Sequence, residues 1–155
     1  MKLEIPKISS NRQMVKDNDS YIVKLRMNAV INNCNIEEIT LGRIPASFAI
    51  PFILIQSESN PLYQSNGKSG LYGISIENAK YYCKMKERKM RVSDMVDMSI
   101  EVGTWLLQYY MVMHSSNGIV DLEKVCGYFF DSPYQYHMLC GKNGYLSIYN
   151  EVYGK

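Results

Sequence analysis

Several things are scarce in this 155-residue chain, and each scarcity closes off a class of function. There are four cysteines, at positions 34, 83, 126 and 140, and no two of them form a Cys-x-x-Cys pair. The two histidines, His114 and His137, stand apart from them, so the spacing of a zinc site is missing. Buried free thiols are the favoured reading, with two disulfides of undetermined pairing as the alternative. No run approaches the roughly 18 apolar residues of a membrane span. The opening "MKLEIPKISSNRQMVKDNDS" lacks the apolar centre of a signal peptide. The net charge of +2 gives no global reason to expect nucleic acid. Acids are locally absent too: after Glu58, the 17 residues up to Ser75 contain no Asp or Glu.

What is present suits a single globular domain. The length is enough for a core that needs no covalent staples. Thirteen tyrosines supply flat apolar faces with polar tips, suited to packing, to interfaces or to sugars. Residues 1–20 are polar and aperiodic and read as an arm or tail, leaving 21–155 as the domain.

Apolar residues from Ile22 to Ile31 predict a first helix, which "NNCN" ends. Residues 45–57, "PASFAIPFILIQS", are almost wholly apolar and predict a buried central helix that kinks or restarts at Pro51. Residues 59–73 read as loop, with Asn66-Gly67 and Ser69-Gly70 as turn signals and room for a small β-hairpin. Further helices are predicted over 76–90, 93–114, 120–130 and 145–153, with Ser93 as an N-cap and "GKNG" as a turn. The segment "KYYCKMKERKMR" (80–91) carries six basic residues and one acid; it reads as a solvated face or as a surface for an anionic polymer. The class is all-α, with six or so helices and a small β-hairpin lobe.

Glu58 is the chemically suggestive residue. A carboxyl closing a buried apolar helix is expected to be desolvated, and the helix C-terminus disfavours negative charge; both favour the protonated form. A carboxylic acid that holds its proton near neutrality can protonate a glycosidic oxygen. The glycines and serines that follow let backbone groups approach a ligand closely.

The order of segments resembles the lysozyme-like superfamily, specifically the soluble lytic transglycosylase domain. That family has a helix ending in Glu-Ser, an Asn-Pro shortly after, and a Gly-Leu-Met-Gln-Ile stretch a dozen or so residues on. Here "IPASFAIPFILIQSESNP" offers Glu58, Ser59, Asn60 and Pro61, and "GKSGLYGISIENA" offers Gly70, Leu71 and Ile74. "SIEVGTWLL" (99–107) resembles the family's Asn-Ile-x-x-Gly-x-x-Tyr-Leu helix, in the form found in secretion and conjugation systems. "EKVCGYF", with Tyr128, falls at its Ala-Tyr-Asn, and "GYLSIYNEVYGK" resembles its closing helix. The resemblance spans residues 43 to 154. The chain departs from the pattern at Tyr72, Gly73 and Phe129, where the family has Met, Gln and Asn, and is two residues shorter between Ser59 and Asn60. A weaker resemblance, through "IPASF", "GLYGIS", "RVSDMVDMSI" and "GYFFDSPY", is to the bacterial glucosaminidases of flagellar and autolysin type.

The resemblance implies cleavage of the β-1,4 bond between N-acetylmuramic acid and N-acetylglucosamine in peptidoglycan. Glu58 would be the catalytic acid and base, with Ser59, Ser65, Tyr72, Gly73, Ser75 and Tyr128 lining the groove. The structural alternatives are Ser59 capping a turn, Tyr72 and Tyr128 in the core, and Ser75 as an N-cap. No cofactor or metal is implied. Hydrolysis by the usual route uses two carboxylates, whereas a lytic transglycosylase uses one. The acid-free stretch after Glu58 therefore favours transglycosylation; Glu77, Asp94, Asp97 and Glu101 are the candidates for a second carboxylate. A hydrolytic glucosaminidase or muramidase is the alternative enzyme, and an inactive glycan-binding or structural descendant the alternative outside enzymes. The expected partner is the glycan strand, reached at the bacterial wall by way of a phage virion, a holin or a secretion apparatus.

Overall fold

The computed structural model describes residues 17–154, with side chains from residue 20; most of the expected N-terminal arm lies outside them. The fold is mostly α-helical, with a small antiparallel sheet. Helix α1 (Asp17–Asn33) buries Val23, Met27 and Val30, a four-and-three spacing that puts them on one face. It begins inside the region expected to be tail. Asn35 caps the short α2 (Ile36–Thr40) by accepting the backbone N–H groups of Glu37 and Glu38.

Helix α3 (Ala46–Ser57) is the centre of the molecule and packs against α1, α2, α7 and α8. Nine of its twelve residues, from Phe48 to Ser57, are buried, which explains a sequence with no polar face. It runs unbroken through Pro51 and does not restart there. The proline sits in its second turn, so only the hydrogen bond to the Ser47 carbonyl is lost.

Three short strands follow: β1 (Gln64–Ser65), β2 (Lys68–Ser69) and β3 (Ile74–Ser75), antiparallel in the order β1-β2-β3. Asn66 and Gly67, at φ 54° and 74°, make the two-residue turn between β1 and β2. Ser75 is the N-cap of α4 (Ile76–Lys86), in a reciprocal capping box with Asn78.

The expected helix over 93–114 is shorter. Arg91 and Asp94 close a 3-10 turn over Val92–Asp94, and α5 runs only Ser99–Met113. The late start has a reason: Ser99 is fully buried, donates to the Ser69 carbonyl at 3.0 Å and accepts the Tyr72 N–H at 3.0 Å. Its hydroxyl ties α5 to the sheet lobe. Gly70 lies so close that a Cβ there would stand 2.1 Å from that of Ser99, and a Cβ on Gly103 would stand 2.5 Å from that of Tyr72.

A second hairpin, β4 (Ser115–Ser116) and β5 (Ile119–Val120), replaces the expected simple helix end. It leads into α6 (Leu122–Gly127), α7 (Pro133–Cys140) and α8 (Tyr145–Tyr153). The helix over 133–140 was not among those expected. All four cysteines are free thiols. Among the described residues no helix is long and apolar enough to cross a membrane.

Candidate functional site

Glu58 sits where α3 ends and the chain turns toward the sheet. It adopts the left-handed conformation (φ 54°), and so does Ser59 (φ 61°). Two consecutive non-glycine residues in this region are costly, of order 1–3 kcal/mol each. The turn is held by the Glu58 N–H on the Leu54 carbonyl (3.1 Å) and the Ser59 N–H on the Ile53 carbonyl (3.2 Å). The expectation of a desolvated acid is not met: the Glu58 side chain is 55% exposed.

Its charged partner is Arg26 of α1, whose Nη1 lies 3.8 Å from Oε1 and whose own side chain is only 1% exposed. Burial pulls the Arg26 pKa down, and the nearby Glu58 and Tyr145 oppose that shift. Tyr145, at the start of α8, is itself buried. The packing of α1, α3 and α8 thus aims a buried cation at an exposed carboxylate. Beside it, Ser59 is fully buried and its Oγ has no hydrogen-bond partner among the described residues. Such unpaired buried hydroxyls are rare.

The other side of the last turn of α3 is saturated. Gln56 donates to the Tyr72 and Gly73 carbonyls, both at 3.1 Å, and accepts Lys68 Nζ at 3.3 Å. Ser57 donates to the Leu71 carbonyl at 2.5 Å. Lys68 is buried, also donates to the Phe129 carbonyl, and pairs with Asp131 at 3.5 Å. Burial lowers the Lys68 pKa, and Asp131 works against that shift.

Several of the groove residues expected from sequence lie around β2: Ser65 and Ser75 both face Lys68 across the sheet, and Asn78, in the capping box with Ser75, donates to the Tyr128 carbonyl at 3.0 Å. Glu58 and Ser59 adjoin one another. Ser65 is exposed on β1, and Ser75 serves as an N-cap. Gly73 packs against Gln56. Tyr72 belongs to the core: it is fully buried and its hydroxyl donates to the Ile39 carbonyl, so burial raises its pKa. Tyr128 stacks face to face on Tyr110, with ring centroids 3.7 Å apart, and its hydroxyl meets His114 Nε2 at 2.9 Å. It makes no hydrogen bond to Glu58.

Of the candidate second carboxylates, Glu101 is held by Arg43 at 3.2 Å and by the Tyr82 hydroxyl at 2.7 Å, and Asp94 by Arg91 at 3.5 Å. Burial works against the Glu101 carboxylate, but the Tyr82 and Arg43 hydrogen bonds and the charges of Arg43 and Arg88 prevail and hold its pKa below the ordinary value. Three residues of this region escaped sequence reasoning. Arg26 and Tyr145 are placed by tertiary packing alone. Asp131 comes to the sheet lobe through Lys68, the one charged residue in the neutral stretch, which was the available signal.

Comparison with protein-family models, with curated proteins and with solved structures finds no match to this chain.

Proposed function

We propose that this chain is a peptidoglycan lytic transglycosylase of lysozyme-like fold, with Glu58 as its catalytic residue. The observation that carries the reading is the junction itself. One carboxylate stands exposed where a buried helix gives way to a small antiparallel sheet, backed by a buried arginine. Protonated Glu58 would give its proton to the glycosidic oxygen, and the bond from C1 of N-acetylmuramic acid to that oxygen would break. The resulting carboxylate would take the proton of the same sugar's 6-hydroxyl as O6 attacks C1. A 1,6-anhydro ring closes and no water is consumed. Arg26 Nη1, 3.8 Å from Oε1, would lie beside the carboxylate between the two proton transfers.

Asp131 favours a second reading, hydrolysis, because it is an exposed carboxylate in the loop between α6 and α7, paired with Lys68 of the sheet lobe. Mass spectrometry of digested wall separates the two. Transglycosylation leaves anhydro-muramic ends and tolerates Asp131→Asn. Hydrolysis leaves reducing ends and loses most turnover in that variant. An inert wild-type protein would refute both. Delivery by a virion, a holin or a secretion apparatus belongs to the same proposal.

A further inference from the structure

The late start of α5 has a second consequence. Helix α4 ends at Lys86, Glu87 takes the left-handed conformation, and the chain folds back so that the Arg88 N–H reaches the Cys83 carbonyl. Residues 88–95 then run beside α4 instead of continuing a helix, and a cleft of about 740 Å³ opens between them. Its floor is apolar: Ala79 and Met95 are buried, and Cys83 and Met90 are half-buried. At the mouth, Val92 is 64% exposed. The rim is cationic, formed by Lys80, Arg88, Lys89 and Arg91, against a single lining carboxylate, Asp94. Arg91 is paired with Asp94, and Arg88 donates to the Tyr82 hydroxyl. Lys80 and Lys89 have no partner among the described residues.

We propose that this cleft binds a small amphiphilic anion: one phosphate or carboxylate group on an apolar body. The volume lies within the range of ligand sites, about 300–1,000 Å³. Methionines suit an apolar body of irregular shape, because their side chains are unbranched and polarizable. Four cations around one carboxylate, in a chain whose net charge is only +2, mark a local surplus and not general basicity. The two unpaired lysines supply the attraction for the anionic head, and the low-dielectric floor strengthens it. A purely polar polyanion would leave the floor in water. A neutral amphiphile would leave the lysines without a partner. The site shares no residue with the Glu58 junction, so it stands or falls separately from the proposed activity.

The test is isothermal titration of the full chain with dodecyl phosphate below its micelle concentration, beside inorganic phosphate, polyphosphate and dodecyl maltoside. Dodecyl phosphate is expected to bind at least about tenfold more tightly than each of the other three, since each of these lacks one half of the recognition. The double substitution Lys80→Glu/Lys89→Glu should weaken it by roughly tenfold or more, as should Val92→Asp at the exposed mouth. Circular dichroism melting verifies that these surface variants fold, and Glu58→Gln should bind like wild type. Equal binding of inorganic phosphate or polyphosphate, an unchanged constant in the lysine variant, or no binding of dodecyl phosphate at millimolar concentration would each overturn the proposal.

Discussion

Residues 56 and 57 adjoin residues 58 and 59 on the chain, yet the fold uses the two pairs differently. Gln56 and Ser57 are buried and their side chains are fully engaged, holding the backbone of residues 71–73 and the Lys68 ammonium. Glu58 is exposed with an ion pair at 3.8 Å, and Ser59 holds a buried hydroxyl that pairs with nothing described. The first pair builds the sheet lobe. The second keeps polar groups that structure does not need, at a turn in a costly conformation. That asymmetry, more than the resemblance of any single motif, supports placing the proposed site on this side of the helix end.

Substitutions separate the two pairs, and the largest expected effect on stability is at the lobe. Gly70→Ala would force a methyl into Ser99 and impose a left-handed φ of 76° on alanine. Denaturant unfolding should show a loss of about 2–4 kcal/mol. Ser57→Ala strands the Leu71 carbonyl and should cost about 1–3 kcal/mol in the same measurement. If it costs nothing, the sheet-facing pair is not structural.

Glu101→Gln, away from both pairs, calibrates the scale at about 1 kcal/mol at neutral pH, as suits a partly exposed pair. The folded Glu101 carboxyl has a lowered pKa. Its stabilisation is therefore complete above the unfolded value of about 4.3 and is lost as pH falls through the folded value. Melting curves of wild type and variant should converge on acidification below about pH 4. Curves that stay parallel would remove the charge from the account.

The smallest effect belongs to Ser59→Ala. With no hydrogen bond to lose, its stability should change by no more than about 0.5 kcal/mol or rise slightly. A loss as large as that of Ser57→Ala would show that the hydroxyl has a structural partner and would erase the asymmetry.

Parts of this were legible in the sequence and parts were not. The apolar run at 45–57 announced a buried helix, Asn66-Gly67 announced a hairpin, and α8 spans the expected 145–153. The same Asn-Gly signal at 117–118 marks the second hairpin, but it was masked by the helical pattern before it. Ser132-Pro133 was a start signal for α7 that the weak periodicity of "PYQYHMLC" hid. Ser93 and the two aspartates after it looked like the first turn of a helix, yet the requirement that Ser99 meet the sheet lobe delayed α5. At the proposed site, Glu58 and Ser59 are the residues the sequence itself names. Arg26 could not, because a cation becomes buried only when α1 packs on α3 and α8. Tyr72 looked like a groove residue, and the close approach of Gly103 shows why it is core.

The proposed activity rests on the Glu58 carboxyl. The most direct test digests purified peptidoglycan with wild type and with Glu58→Gln and follows release of soluble glycan fragments. Glutamine keeps the volume and an acceptor for Arg26, so melting should move by less than about 1 kcal/mol. Release is expected to fall by at least about 10², the typical contribution of a general acid. A folded Glu58→Gln protein that keeps a tenth or more of the wild-type rate would contradict it.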